Sequence, residues 1–134
     1  MLPTKTVLYA DDDPDDQSWV TDACRATGSR MDIRFVQNGK QALNYLQDCA
    51  AHELPVLIVL DLNMPELDGR QALQRIKANE RYREIPVVIV TTSSNLIDQE
   101  ICRRLGANLY LTKPDTHTEW QNIIRQLEPF CGFE

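Results

Sequence analysis

Val56-Leu57-Ile58-Val59-Leu60-Asp61-Leu62-Asn63-Met64-Pro65-Glu66-Leu67-Asp68-Gly69 is the stretch on which the fold turns. An unbroken apolar run from Val56 to Leu60 ends on the carboxylate of Asp61, and Pro and Gly turn signals follow at once. A short run rich in β-branched residues, closed in this way, reads as a strand buried on both faces. In an open parallel sheet, ligands collect in the crevice at the carboxyl ends of the strands. Asp61 therefore stands where a functional carboxylate would stand, although an Asp can also end a strand simply to open a turn.

Working outward, the same pattern repeats. Thr6 to Ala10 is a first strand running into Asp11, Asp12 and Asp13, then Pro14, Asp15 and Asp16. Pro suits the first position of a helix, and Asp suits its cap and first turn, where carboxylates meet the positive end of the helix dipole. Asp13, Asp15 and Asp16 are thereby explained as helix-start residues. Asp11 and Asp12 belong to the strand end and are not. The first helix carries Val20, Ala23 and Cys24 and stops at Gly28. Ile33 to Val36 reads as the second strand, Asn38-Gly39 as a turn, and Ala42, Leu43, Tyr45 and Leu46 as a second helix that fades before Pro55.

Beyond Gly69, Ala72, Leu73 and Ile76 mark a third helix, and Pro86 to Val90 a further buried strand ending in Thr91-Thr92-Ser93-Ser94-Asn95. Leu96, Ile97, Ile101 and Leu105 are expected on the inner face of a fourth helix that stops at Gly106. Asn108 to Leu111 is a short fifth strand leading into Thr112-Lys113-Pro114, and Trp120, Ile123, Ile124 and Leu127 line a last helix ended by Pro129. Five strands alternating with five helices imply right-handed βαβ units, that is, a parallel sheet with helices on both faces.

The chain has 134 residues, 43% hydrophobic and 25% charged, which suits one domain spanning 1–134. Lys and Arg number 14 against 20 Asp and Glu, a net charge of −6 that argues against nucleic acid as the main ligand. No apolar stretch reaches the roughly 18 residues of a membrane span, and the Met1-Leu2-Pro3-Thr4-Lys5 start lacks the apolar region of a signal peptide. Cys24, Cys49, Cys102 and Cys131 are scattered with no ligand spacing, so zinc is not expected and a reduced, cytoplasmic location is.

If all strands point one way, Asp11, Asp12, Asp61, Thr91 and Lys113 share one edge. Two like charges about 4 Å apart repel by about 4 kcal/mol at an effective dielectric near 20. Three carboxylates thus call for compensating cations. Lys113 supplies one charge, and a divalent metal with oxygen preference, best Mg²⁺, supplies the rest. Such a pocket suits reception of a phosphoryl group on a carboxylate.

The acidic pair Asp11-Asp12, the Asp61-x-x-Met64-Pro65 loop with Gly69, Thr91, and Lys113-Pro114 with Tyr110 resemble the receiver domain of two-component response regulators over essentially the whole chain. The resemblance implies a flavodoxin-like (βα)5 sandwich with sheet order 2-1-3-4-5 and Asp61 as phosphoacceptor, charged by a histidine kinase or phosphotransfer protein. It implies Mg²⁺ held by Asp12, Asp61 and the backbone carbonyl of Asn63, with Asp11 helping through water. Thr91 would follow the phosphoryl group, Tyr110 would report its position, and Lys113 would pair with a phosphate oxygen. Such a domain is a signalling phosphoacceptor rather than an enzyme, beyond assisting its own phosphotransfer and slow dephosphorylation. Asp13-Pro14-Asp15-Asp16 and Thr91-Thr92-Ser93 are similar to the stand-alone members that accompany phytochrome-like sensor kinases. Thr92 is larger than the residue often found after the switch Thr and is expected to narrow access to Asp61.

After the last helix, the residues from Pro129 to Glu134 are too few for an output domain. The signal is expected to leave through the fourth helix, fifth strand and fifth helix, toward a partner or a second copy in a homodimer. Phe130 and Phe133 are candidates for such a contact, or for packing back on the core. Two alternatives stand beside this reading. A haloacid-dehalogenase-type phosphatase would use the Asp-x-Asp of Asp11-Asp12-Asp13, but Pro14 and Asp15 depart from its pattern and Asp61 would go unexplained. A degenerate receiver-like binding module would not need the intact acid, Thr and Lys set.

Overall fold

The computed structural model describes residues 5–132. Five parallel strands, β1 (Lys5–Ala10), β2 (Met31–Val36), β3 (Leu57–Leu60), β4 (Val87–Thr91) and β5 (Leu109–Thr112), form one sheet in the order β2-β1-β3-β4-β5. Helices α1 (Pro14–Thr27), α2 (Gly39–Asp48), α3 (Gly69–Ala78), α4 (Leu96–Arg104) and α5 (His117–Leu127) connect them. This is the flavodoxin-like arrangement expected from the alternation.

The apolar runs serve both faces because side chains alternate along a strand. Leu57, Val59, Val88 and Val90 face α1 and α5, where Val20, Trp120, Ile124 and Leu127 meet them. Ile58, Leu60, Val87 and Ile89 face the other layer, packing with Ala42 and Leu46 of α2 and with Leu73 and Ile76 of α3. Phe130 packs back against the α1 and α5 side, in a short 3₁₀ turn (Glu128–Cys131) that carries the chain past Pro129. Phe133 lies outside the described residues.

Register places the strand ends together. Ala10 pairs with Leu60 and the Asp61 N–H donates to the Ala10 carbonyl at 3.0 Å, so Asp11 and Asp61 leave the sheet side by side. Thr91 pairs with Thr112, and the Lys113 N–H donates to the Thr91 carbonyl at 2.7 Å.

Asn38-Gly39 is not a free turn but a helix start. Asn38 caps α2 by accepting from the Gln41 N–H, and Gly39 is buried in the first helical position. The reason is close approach: a Cβ on Gly39 would lie 2.6 Å from the Leu67 carbonyl, which accepts from the Gly39 N–H at 2.9 Å. The fourth helix differs more. Leu96, Ile97 and Ile101 are 77%, 69% and 38% exposed rather than inward. The row that docks is Asp98, Cys102 and Leu105, spaced i, i+4, i+7. Cys102 is fully buried, and Asp98 is drawn inward by Arg70 of α3 and by Ser93.

Candidate phosphoacceptor site

Asp11 and Asp61 are both buried at the carboxyl edge of the sheet, and Asp12 beside them is exposed. One carboxylate oxygen from each of the three lies within 4.8 Å of the others. The loop after β3 is shaped to keep Asp61 there. A Cβ on Gly69 would fall 2.2 Å from the Asp61 carbonyl oxygen, so only glycine lets α3 start this close. Glu66 sits at φ +67°, and the Leu67 N–H donates to the Pro65 carbonyl at 2.8 Å, making a γ-turn. That turn sends the chain back under Asp61. The exposed Asn63 donates its backbone N–H to Asp61 Oδ1 at 3.3 Å.

Lys113 enters from the loop after β5, with its side chain only 7% exposed. Its Nζ lies 2.9 Å from Asp61 Oδ2, 3.0 Å from Asp11 Oδ2 and 2.6 Å from Asp16 Oδ2. The contacts to Asp61 and Asp16 are hydrogen bonds, whereas that to Asp11 is an ion pair without hydrogen-bond geometry. Among the described residues, Asp11 Oδ2 is therefore buried without a hydrogen-bond donor. Burial pushes the Asp11 carboxyl up to about 6, against the opposing pull of the Asp13 N–H and Lys113. Burial alone would lower Lys113, but its contacts with Asp16, Asp61 and Asp11 outweigh that and hold it above the usual lysine range. Burial, with Asp11, Asp16 and Asp61 nearby, likewise keeps the Tyr9 phenol protonated.

An all-oxygen donor set, one lone pair left over on a buried oxygen and a local excess of negative charge fit a hard divalent cation. Thr91 is fully buried at the end of β4, and its hydroxyl has no hydrogen-bond partner among the described residues. Tyr110 is half-buried and donates its hydroxyl to the Ser93 carbonyl at 2.8 Å. Thr92 points to solvent, and among the described contacts nothing ties it to Asp61. Asp13 is the α1 cap, accepting from the Asp15 N–H at 2.9 Å, and stands apart from the acidic triad.

The expected edge thus assembles with Lys113 in contact with Asp11 and Asp61, Asp12 near those two carboxylates, and Thr91 beside them in the register. Sequence reasoning missed Asp16, whose place in the first helical turn accounted for it fully. It also missed the Arg70–Asp98–Ser93 cluster, for which charge and spacing carried no signal.

The model of the response regulator receiver domain family matches residues 7–125. The response regulator Rcp1 of Synechocystis sp. is 33% identical over 131 residues, covering 96% of this chain and 89% of that protein. Its Mn²⁺-bound crystal structure superposes with a TM-score of 0.81 at 32% identity, over 94% of this chain and 93% of that one. The phosphorylated cyanobacterial phytochrome response regulator RcpA gives a TM-score of 0.85 at 30% identity, over 96% and 94%. The receiver domain of a Pseudomonas aeruginosa PAO1 sensor histidine kinase, solved with magnesium coordinated in its active-site cleft, gives 0.77 at 28% identity, over 97% and 99%. Sequence, fold and a carboxylate pocket at the expected strand ends agree, and the chain belongs to the response regulator receiver domain family, the phosphoacceptor modules of two-component signalling.

Proposed function

We propose that Asp61 accepts the phosphoryl group, from a histidine kinase or a phosphotransfer protein, with Mg²⁺ held by Asp11, Asp12, Asp61 and the Asn63 carbonyl. The observation that carries this reading is the Lys113 ammonium bridging Asp61 and Asp11 with Asp12 alongside. When bound, the cation offsets negative charge on the pocket and on the transferring oxygens. The protein's own groups do the rest. The backbone N–H of Asn63 holds one oxygen of Asp61 and Lys113 the other. Leu60 and Leu62, on either side of Asp61 in the chain, are fully buried and anchor its backbone in the core. Lys113 then turns its charge to a phosphoryl oxygen.

Thr91 supplies the switch in this reading: an unpartnered buried hydroxyl has a free donor for the newly arrived oxygens. Its inward movement reaches Tyr110 through the β4–α4 loop. The output leaves by α4, β5 and α5, where the exposed Leu96 borders an open groove of about 450 Å³ also lined by Gln99, Arg103, Leu109 and Tyr110. The likeness of the chain to RcpA, a cyanobacterial phytochrome response regulator, supports a phytochrome-type kinase upstream; a partner protein or a second copy of this chain would receive the signal.

The test is labelling by acetyl phosphate with Mg²⁺. Wild type becomes labelled and Asp61→Asn does not. Residual labelling of the variant above about a tenth of wild type, a loss of under about 1.4 kcal/mol in transition-state terms, contradicts the assignment.

A further inference from the structure

We propose that Asp16 is a positioning residue for phosphoryl transfer: its carboxylate fixes the Lys113 ammonium at the pocket so that one donor is aimed at the incoming phosphoryl oxygen. The inference rests on Asp61 being the phosphoacceptor.

Asp16 stands in the first turn of α1, where a carboxylate needs no reason beyond the helix dipole. It is nevertheless turned away from solvent, with 17% of its side chain exposed. Its Oδ2 makes the shortest of the three Lys113 contacts, at 2.6 Å against 2.9 Å to Asp61 and 3.0 Å to Asp11. The hydrogen bond closes the pocket between residues 97 apart in sequence. A carboxylate serving only the helix dipole has no need of that contact.

The three partners of Lys113 have different fates. Asp11 and Asp61 belong to the group of carboxylates close enough to share a cation, and Asp16 does not. Asp61 is also the group that reacts. One of its carboxylate oxygens attacks phosphorus, the new P–O bond forms, and the bond from phosphorus to the donor breaks. With acetyl phosphate the electron pair leaves on acetate, and no proton is transferred. Asp61 then ceases to be a carboxylate and becomes a poor acceptor for Lys113. Of the two hydrogen bonds that the Lys113 ammonium makes among the described residues, only that to Asp16 survives the chemistry unchanged. Lysine has a long flexible stem and a point charge, so an ammonium without that anchor would spread over many positions. A misplaced charge loses most of its worth in transfer, because stabilisation depends on donors fixed before charge develops.

The variants separate geometry from charge. In Asp16→Asn the amide oxygen still accepts from Nζ while the charge is gone; in Asp16→Ala and Asp16→Ser no acceptor reaches Lys113. With acetyl phosphate and saturating Mg²⁺, Asp16→Ala and Asp16→Ser should lower the maximal labelling rate about tenfold, with half-saturating acetyl phosphate moved less than about threefold, and Asp16→Asn should stay within about threefold of wild type. A second readout needs neither metal nor turnover. The Lys113 ammonium resonance in ¹⁵N-labelled metal-free protein should be sharp in wild type and Asp16→Asn and broadened by water exchange in Asp16→Ala. Asp16→Ala labelling at the wild-type rate, or Asp16→Asn as slow as Asp16→Ala, overturns the inference while wild type labels and Asp61→Asn stays blank. Labelling of Asp61→Asn above about a tenth of wild type overturns the phosphoacceptor reading and this inference with it.

Discussion

At Asp11, burial works against ionisation, and its folded carboxyl titrates near 6 where the ordinary value is 3.8. Between those values the folded protein keeps a proton that the unfolded chain has lost, so stability falls as pH rises. The contribution is fully present below 3.8 and lost once pH passes about 6. In chelator, the metal-free protein should therefore lose stability from pH 4 to pH 7, with Asp11 responsible for on the order of 2–3 kcal/mol. Asp11→Asn has no proton to lose. Urea unfolding should show the variant more stable than wild type at pH 7 and close to it at pH 4. Equal pH dependence in the two proteins would show that Asp11 is not under this tension. The same reasoning explains why a cation is welcome here: binding it requires Asp11 to shed its proton, and affinity should climb through the same pH window.

The fourth helix shows what happens between residues and elements. The α4 first turn is tied down on several sides: Arg70 of α3 pairs with Asp98, Ser93 Oγ donates to Asp98 Oδ2 at 2.7 Å, and Tyr110 of β5 donates to the Ser93 carbonyl. Arg70 and Ser93 both hold the Asp98 carboxyl below its usual range, the Arg70 hydrogen bond most strongly. Apolar packing contributes little in that first turn, since Leu96 and Ile97 face solvent. Polar ties therefore set the position of the loop between Thr91 and α4. Arg70→Ala should raise amide hydrogen exchange in residues 92–98 severalfold while exchange in β1 and β3 stays unchanged. An unaltered exchange pattern would mean that the pair does not restrain the loop. Sequence spacing could not have revealed this arrangement. Leu96, Ile97 and Ile101 satisfy a helical pattern, but a pattern gives only which residues share a face and not whether that face meets the sheet. Here the docking face was decided by a charged residue, Asp98, whose partner lies in another element.

Across the whole molecule, the legible part is the part set by local chemistry. Apolar runs at Thr6–Ala10, Val56–Leu60 and Pro86–Val90 carry residues for both sheet faces, which is why they read as central strands of a parallel sheet. Gly28 ends α1 at φ +67°, and Pro14 opens it, as their conformational limits require. Once the strands are parallel, Asp11, Asp61, Thr91 and Lys113 must share an edge, so the main site followed from the fold. Asp16 did not follow, because its hydrogen bond to Lys113 depends on how α1 and the loop after β5 close over the pocket. Its helix-start position gave a complete explanation that concealed a second one. The pocket as a whole brings three carboxylates, Asp11, Asp16 and Asp61, around one ammonium, with Asp12 beside two of them. A divalent cation and the redirected charge of Lys113 are what permit a further anionic group to settle there. The most direct measurement locates that group. Protein phosphorylated by acetyl phosphate with Mg²⁺ is reduced with borohydride, which converts only the acyl-phosphorylated carboxyl to an alcohol, and is then mapped by peptide mass spectrometry. The modified residue should be Asp61 alone; modification at Asp11, Asp12 or Asp13 with Asp61 untouched would contradict the phosphoacceptor assignment.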